Sequence, residues 1–228
     1  MKVLNAYAGI GGNRKLWPND LEITAIELNP QIAKIYQDFW PDDKVIVTDA
    51  HQYILDHFQE FDFIWSSPPC QTHSKFRFMT TKMRDEGHKR PRVYPDMKLY
   101  EEIIFLQHYS EDKFVVENVV GYYEPLIKPT MMCGRHYFWS NFSINFKTID
   151  NRNFIKSHIK DLERLHDIDI SKYKVDYRKD QILRNCVNPK LGKHIFDCAF
   201  KGYKKMTDFM VMADGSASQN KMEGFGNE

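Results

Sequence analysis

The sequence predicts an α/β protein built on a doubly wound, mostly parallel sheet with a small inserted subdomain. Three observations predict it. Short β-branched and aromatic runs alternate with helical patterns through the first 120 residues, a glycine-rich turn follows the first run, and acidic or reactive residues stand where later runs end.

Residues 3–7 open as a strand, and Ala8-Gly9-Ile10-Gly11-Gly12 follows, three glycines in four positions that permit a tight turn with close backbone approach. Residues 23–27 form a second strand, and Pro30 starts a helix that runs to Phe39. Two more strands fall at 44–48 and 61–65, with a helical segment at 52–58 between them. Asp96 can cap a helix whose apolar positions Leu99, Ile103 and Leu106 recur at helical spacing. Residues 113–116 return as a strand that ends in Glu117, and 137–139 form another. From 140 to 180 the chain turns polar, charged and weakly periodic, then 181–200 resumes a helical rhythm. The expected organisation is one main domain (1–141 plus 181–205), an inserted region (142–180) and a disordered tail (213–228).

Apolar content of 42% and aromatic content of 14% place the chain among ordinary globular proteins. Cys70, Cys133, Cys186 and Cys198 form no close pair, so neither a metal site nor a disulfide framework is expected. A reducing cytoplasm fits this usage. No stretch approaches the roughly 18 apolar residues of a membrane span, so no membrane partner is expected. The net charge of +1 argues against a wholly basic nucleic-acid binder, but residues 75–92 carry seven basic residues against two acidic ones, a local +5. That run is either a solvated surface loop or a loop that closes over a polyanion.

The chemistry concentrates at Ser66-Ser67-Pro68-Pro69-Cys70-Gln71-Thr72-His73-Ser74. A lone cysteine near a strand end is often a small buried hydrophobe. Here two prolines fix the backbone and remove amide donors, and a polar rim follows, which suits a nucleophile held outward at a strand's carboxyl end. A glycine turn followed by an acid closing the next strand is how doubly wound folds hold an adenosine. Glu27 lies fifteen positions beyond Gly12, short of the roughly 20 of dinucleotide binders, and the full glycine fingerprint is missing. A cofactor without a pyrophosphate fits better. Asp49 is placed either to accept from an adenine amino group or to cap the following helix. Glu117 is an acid at the strand edge beside the one bearing Cys70, which suggests a thiol and a carboxyl facing one pocket. A thiolate and a protonated carboxyl beside an adenosine site suit addition to carbon 6 of a pyrimidine, which makes carbon 5 nucleophilic enough to take a methyl group.

The chain resembles the cytosine-5 DNA methyltransferases that use S-adenosylmethionine. The resemblance rests on Tyr7-Ala8-Gly9-Ile10-Gly11-Gly12, Glu27-Leu28-Asn29, Pro68-Pro69-Cys70-Gln71, Glu117-Asn118-Val119 and Asn185-Cys186-Val187-Asn188-Pro189-Lys190-Leu191, which follow the family's order. It implies a Rossmann-like methyltransferase sheet with Cys70 as covalent nucleophile. Glu117 would contact ring N3 and the exocyclic amino group, Asn118 would brace the Pro-Cys loop, and Arg135 would hold the base's O2 or the loop backbone. Tyr7, Ala8, Gly9, Ile10, Gly11, Gly12, Glu27, Leu28, Asp49, Ala50, Pro68, Asn185 and Val187 would line the cofactor site. Gln71, Ser74, Lys75, Arg77, Arg90 and Arg92 would meet a DNA duplex whose target cytosine is flipped into the pocket. The implied setting is the cytoplasm of a prokaryote, with the gene its own or a phage's, and a restriction-modification role.

The chain also departs from that family. Asn5 stands where an aspartate is usual, Tyr7 where phenylalanine is, and the paired arginines before the late strand are reduced to Gly134-Arg135-His136. Arg184 replaces a glycine: it either selects an extra carboxylate on the donor or, the plainer reading, points to the surface. Only about forty residues (140–180) remain for target recognition, so recognition is brief or lent by a protein partner. The same chemistry on RNA or on a free cytidine nucleotide, use of a carboxylated donor, and a catalytically silent DNA-binding module are the alternatives.

Overall fold

The structure, a computed structural model, describes residues 1–82, 93–145 and 158–200. In chain order the elements are β1 (Lys2–Ala6), β2 (Glu22–Ile26), α1 (Pro30–Phe39), β3 (Lys44–Ile46), α2 (Ala50–His57), β4 (Phe63–Ser66), α3 (Lys75–Lys82), α4 (Lys98–Tyr109), β5 (Lys113–Val119), β6 (Met131–Cys133), β7 (His136–Ser140), α5 (Ile159–His166), α6 (Lys179–Asn185) and α7 (Pro189–Phe200). The strands join in one seven-stranded sheet ordered β3-β2-β1-β4-β5-β7-β6. β1 to β5 run parallel, and β7 is antiparallel to both β5 and β6. This is the expected doubly wound α/β sheet. The winding reverses between β1 and β4, which opens a crevice at their carboxyl ends.

Strand alternation divides the core between the two faces of the sheet. Leu4, Ile64, Phe114 and Val116 pack with Ile54 of α2 and with Leu99, Ile103 and Leu106 of α4. Their neighbours Val3, Phe63, Trp65 and Val115 face the other way, onto Trp17 and onto Leu191, Ile195 and Phe196 of α7. Trp65, Phe63 and Phe114 are completely buried, so a one-residue slip of either central strand would drive each of them into the opposite, differently shaped core layer.

Helix starts follow local capping. The Asn29 side chain accepts from Gln31 N and Ile32 N, with Pro30 in the first turn. Asp49 caps α2 through Gln52 N at 3.1 Å, which starts that helix at residue 50 rather than 52. Asp96 stands one residue outside α4 and accepts from Lys98 N at 3.1 Å. Residues 181–200 are not one helix. The chain breaks between α6 and α7 because Pro189 disfavours helical backbone at Asn188.

The described part of the inserted region is integrated with the main core. Leu162, Ile168 and Ile170 share a buried cluster with Ile10 of the glycine turn, Ile35 of α1, and Ile182 and Leu183 of α6. Residues 201–228, with the expected tail, lie outside the described residues.

α7 lies against the chain just after the glycine turn. Trp17 Nε1 donates to the Gly192 carbonyl at 3.2 Å, and its ring stacks on Phe196 at 5.2 Å. A Cβ at 192 would come within 2.6 Å of Asn13 Cα, so backbone must yield. Gly192→Ala should cost about 1–3 kcal/mol and lower the melting temperature by several degrees in thermal denaturation.

Candidate active site

The carboxyl ends of β1, β2, β4 and β5 and the α6–α7 junction enclose a cavity of about 620 Å³, a size ordinary for a small-molecule site. Its floor is the turn after β1, where Tyr7, Gly9 and Gly11 have φ of 56°, 55° and 78°. Gly12 is required by close approach: a Cβ there would collide with Cys186 Sγ and with the Val187 carbonyl. The closing segment of the chain therefore lies directly on the glycine turn. Glu27 is fixed at the wall, accepting from Gly9 N at 3.0 Å and Asn29 N at 2.9 Å. Burial raises its pKa, and these backbone donors oppose the rise.

Tyr7, Ala8, Gly9, Ile10, Gly12, Glu27, Leu28, Asp49, Ala50, Pro68, Asn185 and Val187 all line the cavity. Gly11 does not: its open side faces Trp40. Asp49 caps α2 and also lines the cavity. Its pKa is lowered by the Gln52 amide first, with Lys98 at 3.7 Å adding to the effect.

Cys70, Glu117, Asn118 and Arg135 line the same cavity. β4 and β5 pair with Ser66 level with Val116, so the loops leaving them run side by side. Asn118 Nδ2 donates to the Pro68 carbonyl at 2.9 Å, tying the loop to β5, and the Cys70 carbonyl accepts from His73 N and Ser74 N, both at 3.1 Å. Burial pushes the Cys70 thiol up to about 11, the Glu117 carboxylate adds to the rise, and Arg135 opposes it. Arg184 also lines the cavity, 3.5 Å from Asp180, and helps depress the Arg135 pKa behind the larger effect of burial. It does not simply point to the surface.

Gln71 lines the cavity, and Ser74 makes a β-bridge with Gly121 beside it. Lys75 is exposed and Arg77 half-buried at the start of α3, while Arg90 and Arg92 lie outside the described residues. α3 is pinned near the cavity by Phe78, stacked on Tyr122 at 4.2 Å, and by His73 Nδ1, 2.5 Å from Tyr123 Oη.

Two residues were not singled out from the sequence. His136 lines the cavity with Nε2 at 3.6 Å from Glu117 Oε1. Strand parity carries the signal: Tyr137 and Trp139 pack on one face, leaving His136 and Phe138 on the face of Glu117. Glu102 of α4 is fully buried beneath the glycine turn. It accepts from Tyr7 Oη at 2.5 Å and Ser66 Oγ at 2.6 Å, and lies 3.0 Å from His51 Nδ1. One carboxylate thus ties β1, β4 and α2 together. Its neighbour Glu101 is exposed, so only three-dimensional packing distinguishes the two. Among the described residues, no group of three or more His, Cys, Asp or Glu is placed to hold a metal, and no helix is long and apolar enough to cross a membrane.

An open, mostly parallel sheet with a glycine turn, a strand-end acid and a crevice at its switch point defines a Rossmann-like α/β protein of the methyltransferase type. The model of the C-5 cytosine-specific DNA methylase family matches residues 1–128, and the chain belongs to that family. Among solved structures it is similar to a DNMT2 variant from Spodoptera frugiperda, at 25% identity over 53% of this chain and 36% of that one, with a TM-score of 0.37. It is also similar to the methyltransferase EhMeth of Entamoeba histolytica, at 10% identity over 88% and 98% of the two chains, TM-score 0.46. A SAM-dependent methyltransferase from Agrobacterium tumefaciens matches at 16% identity over 52% and 38%, TM-score 0.33. The chain spans about a third of the length of the DNMT2 it matches. A search of curated proteins finds no match.

Two outcomes follow from this geometry. Glu102→Gln places an amide donor against hydroxyl donors, an expected cost of about 1–3 kcal/mol, read as a lower melting temperature in thermal denaturation. The hydrogen bond to Glu102 raises the His51 pKa above 6.5, so the stability that His51 contributes is complete below about 6.5 and fades as pH rises through its folded-state value. The melting-temperature deficit of His51→Ala should therefore be largest in mild acid and shrink in alkali. A deficit independent of pH would contradict the charge-assisted bond.

Proposed function

We propose that the protein methylates carbon 5 of cytosine in DNA, using S-adenosylmethionine as donor and a covalent Cys70 adduct. The observation that carries this reading is the convergence of Cys70 and Glu117 on one cavity that also contains Glu27 and the glycine turn. The residues fit the donor. The Glu27 carboxylate spends two of its acceptor sites on backbone amides and keeps others for ribose hydroxyls, and the turn lacks the extra glycine that a pyrophosphate needs. When bound, S-adenosylmethionine supplies an electrophilic methyl group.

The side chains do the rest. Cys70 first loses its thiol proton to solvent; the thiolate sulfur then forms a bond to carbon 6, the C5–C6 π pair shifts towards carbon 4, and the C4–N3 pair moves to N3, which takes the Glu117 proton. Carbon 5 becomes the nucleophile. After methylation the carbon 5 proton leaves to a base, the C5–C6 double bond re-forms, Cys70 departs as thiolate, and the N3 proton returns to Glu117. Asn118 keeps the Pro68–Cys70 loop in place through the bond to the Pro68 carbonyl. A duplex hides carbon 6, so the base must be flipped into the cavity, and the basic residues from Lys75 onwards supply backbone contacts. In this reading residues 1–141 and 181–205 are the catalytic domain and 142–180 a reduced recognition region.

Methyl transfer from labelled donor to duplex DNA, transfer RNA and cytidine nucleotides tests the substrate: DNA should win. Cys70→Ser should abolish turnover, by at least about 10⁴-fold, while leaving donor affinity within about twofold. Methylation by Cys70→Ser at the wild-type rate would remove the proposed nucleophile.

A further inference from the structure

The geometry points to His136 as a second base-contacting catalytic residue, which donates a hydrogen bond to the exocyclic O2 of the target cytosine while Glu117 serves N3. The inference rests on the methyltransferase reading above and adds a residue to it.

His136 and Glu117 are diagonal neighbours across the β5–β7 pair, since Glu117 is level with Phe138 and Val119 with His136. The 3.6 Å between His136 Nε2 and Glu117 Oε1 is beyond hydrogen-bond range. The buried Nδ1 also makes no hydrogen bond among the described residues. The ring is therefore a mostly covered polar group, 22% exposed, that lines the cavity with Nε2 facing the Glu117 carboxylate and with Nδ1 in no hydrogen bond among the described residues. Nδ1 is sealed from the cavity, so Nε2, beside Glu117, is the nitrogen that a ligand there can reach.

The groups around it define which ligand atom that is. Glu117 faces it from β5, Arg135 precedes it in the chain, and Cys70 and Arg184 share the cavity. Burial lowers the imidazole pKa, with Glu117 opposing and Arg135 assisting, so the ring is held towards its neutral form. A neutral imidazole still has one N–H to donate.

Addition of sulfur at carbon 6 drives electron density onto N3 and, by conjugation, onto O2. These adjacent atoms lie on one edge of the base. Glu117 supplies the proton that N3 takes up, and a donor beside it stabilises the charge that develops on O2 without any proton changing hands. His136 stands beside Glu117 in the position that this second acceptor requires. Arg135, the residue singled out from the sequence for O2 or the loop backbone, lines the same cavity, and its backbone carbonyl accepts from Val120 N at 2.7 Å.

The test combines a side-chain change with a base change. Genomic fragments are synthesised by polymerase with cytosine, with 2-thiocytosine, whose sulfur is a poor acceptor, or with 5-fluorocytosine, which traps the covalent adduct. His136→Ala should methylate the cytosine fragments about 10²-fold more slowly than wild type, with an unchanged KM for S-adenosylmethionine. Its further loss on 2-thiocytosine should be under twofold, whereas wild type loses about tenfold or more. His136→Asn and His136→Arg each keep a donor and should recover part of the rate.

A multiplicative loss in His136→Ala on 2-thiocytosine, or wild-type rates in His136→Ala, would overturn the assignment. So would failure of both donor-bearing variants to exceed alanine. If wild type itself forms no adduct with 5-fluorocytosine fragments, the covalent chemistry fails first and the histidine's role falls with it.

Discussion

The parallel pairing of β4 with β5 is the constraint on which the cavity depends. Ser66 is level with Val116, so the loop carrying Cys70 leaves one strand at the height where Glu117 and Asn118 end the next. The register is held from within the core, because Trp65 and Val115 bury on one face while Ile64, Phe114 and Val116 bury on the other. Sliding β5 by one residue would turn Glu117 onto the opposite face of the sheet, away from the Cys70 loop, and swap its apolar neighbours between the two core layers. Core packing and the meeting of thiol with acid are therefore one requirement, and the 2.9 Å bond from Asn118 to the Pro68 carbonyl joins the strand ends above the last ladder pair.

The glycine turn is supported from below by paired polar groups. Asn5 and Asn13 exchange side-chain hydrogen bonds, 2.7 Å in one direction and 3.4 Å in the other. An aspartate at position 5 could not donate in return, which gives the departure from the family a local reason. Arg14 and Asp43 form a buried ion pair at 3.1 Å, to which Tyr36 Oη adds a 2.8 Å bond. Glu102 collects the donors of Tyr7, Ser66 and His51. Tyr7 can hold its unfavourable positive φ because its hydroxyl is anchored at the far end. Such networks are costly when incomplete and rigid when complete, and this turn must keep one shape beneath the cavity.

Much of this was legible in the chain. Strand alternation and the glycine turn carry the sheet, since both are local patterns, and the residues at 7–12, 27, 70 and 117 lie at strand ends that parallel pairing gathers into one place. What escaped was non-local. His136 was hidden beside a more conspicuous arginine, although parity along β7 separates it from Tyr137 and Trp139. Glu102 looks like any helical glutamate until α4 docks. The inserted region appears polar because its apolar residues, Leu162, Ile168 and Ile170, are sparse and meet partners more than a hundred positions away in Ile10 and Ile35. The break before α7 was carried by Pro189 and outweighed by the apolar rhythm on either side of it.

The electrostatics of Cys70 separate this site from those that keep a reactive thiolate in waiting. With a pKa near 11, about one molecule in 10⁴ carries the thiolate at pH 7. Burial is the larger cause and the Glu117 carboxylate the second, with Arg135 pulling the other way. Only the second cause can be switched by a ligand. Protonation of the Glu117 carboxylate would remove that negative charge from beside the sulfur and lower the cost of ionising the thiol. The thiol is thereby protected from adventitious oxidation and alkylation in the empty cavity, where thiolate character governs reactivity. The acid and the sulfur are thus coupled through the charge on Glu117.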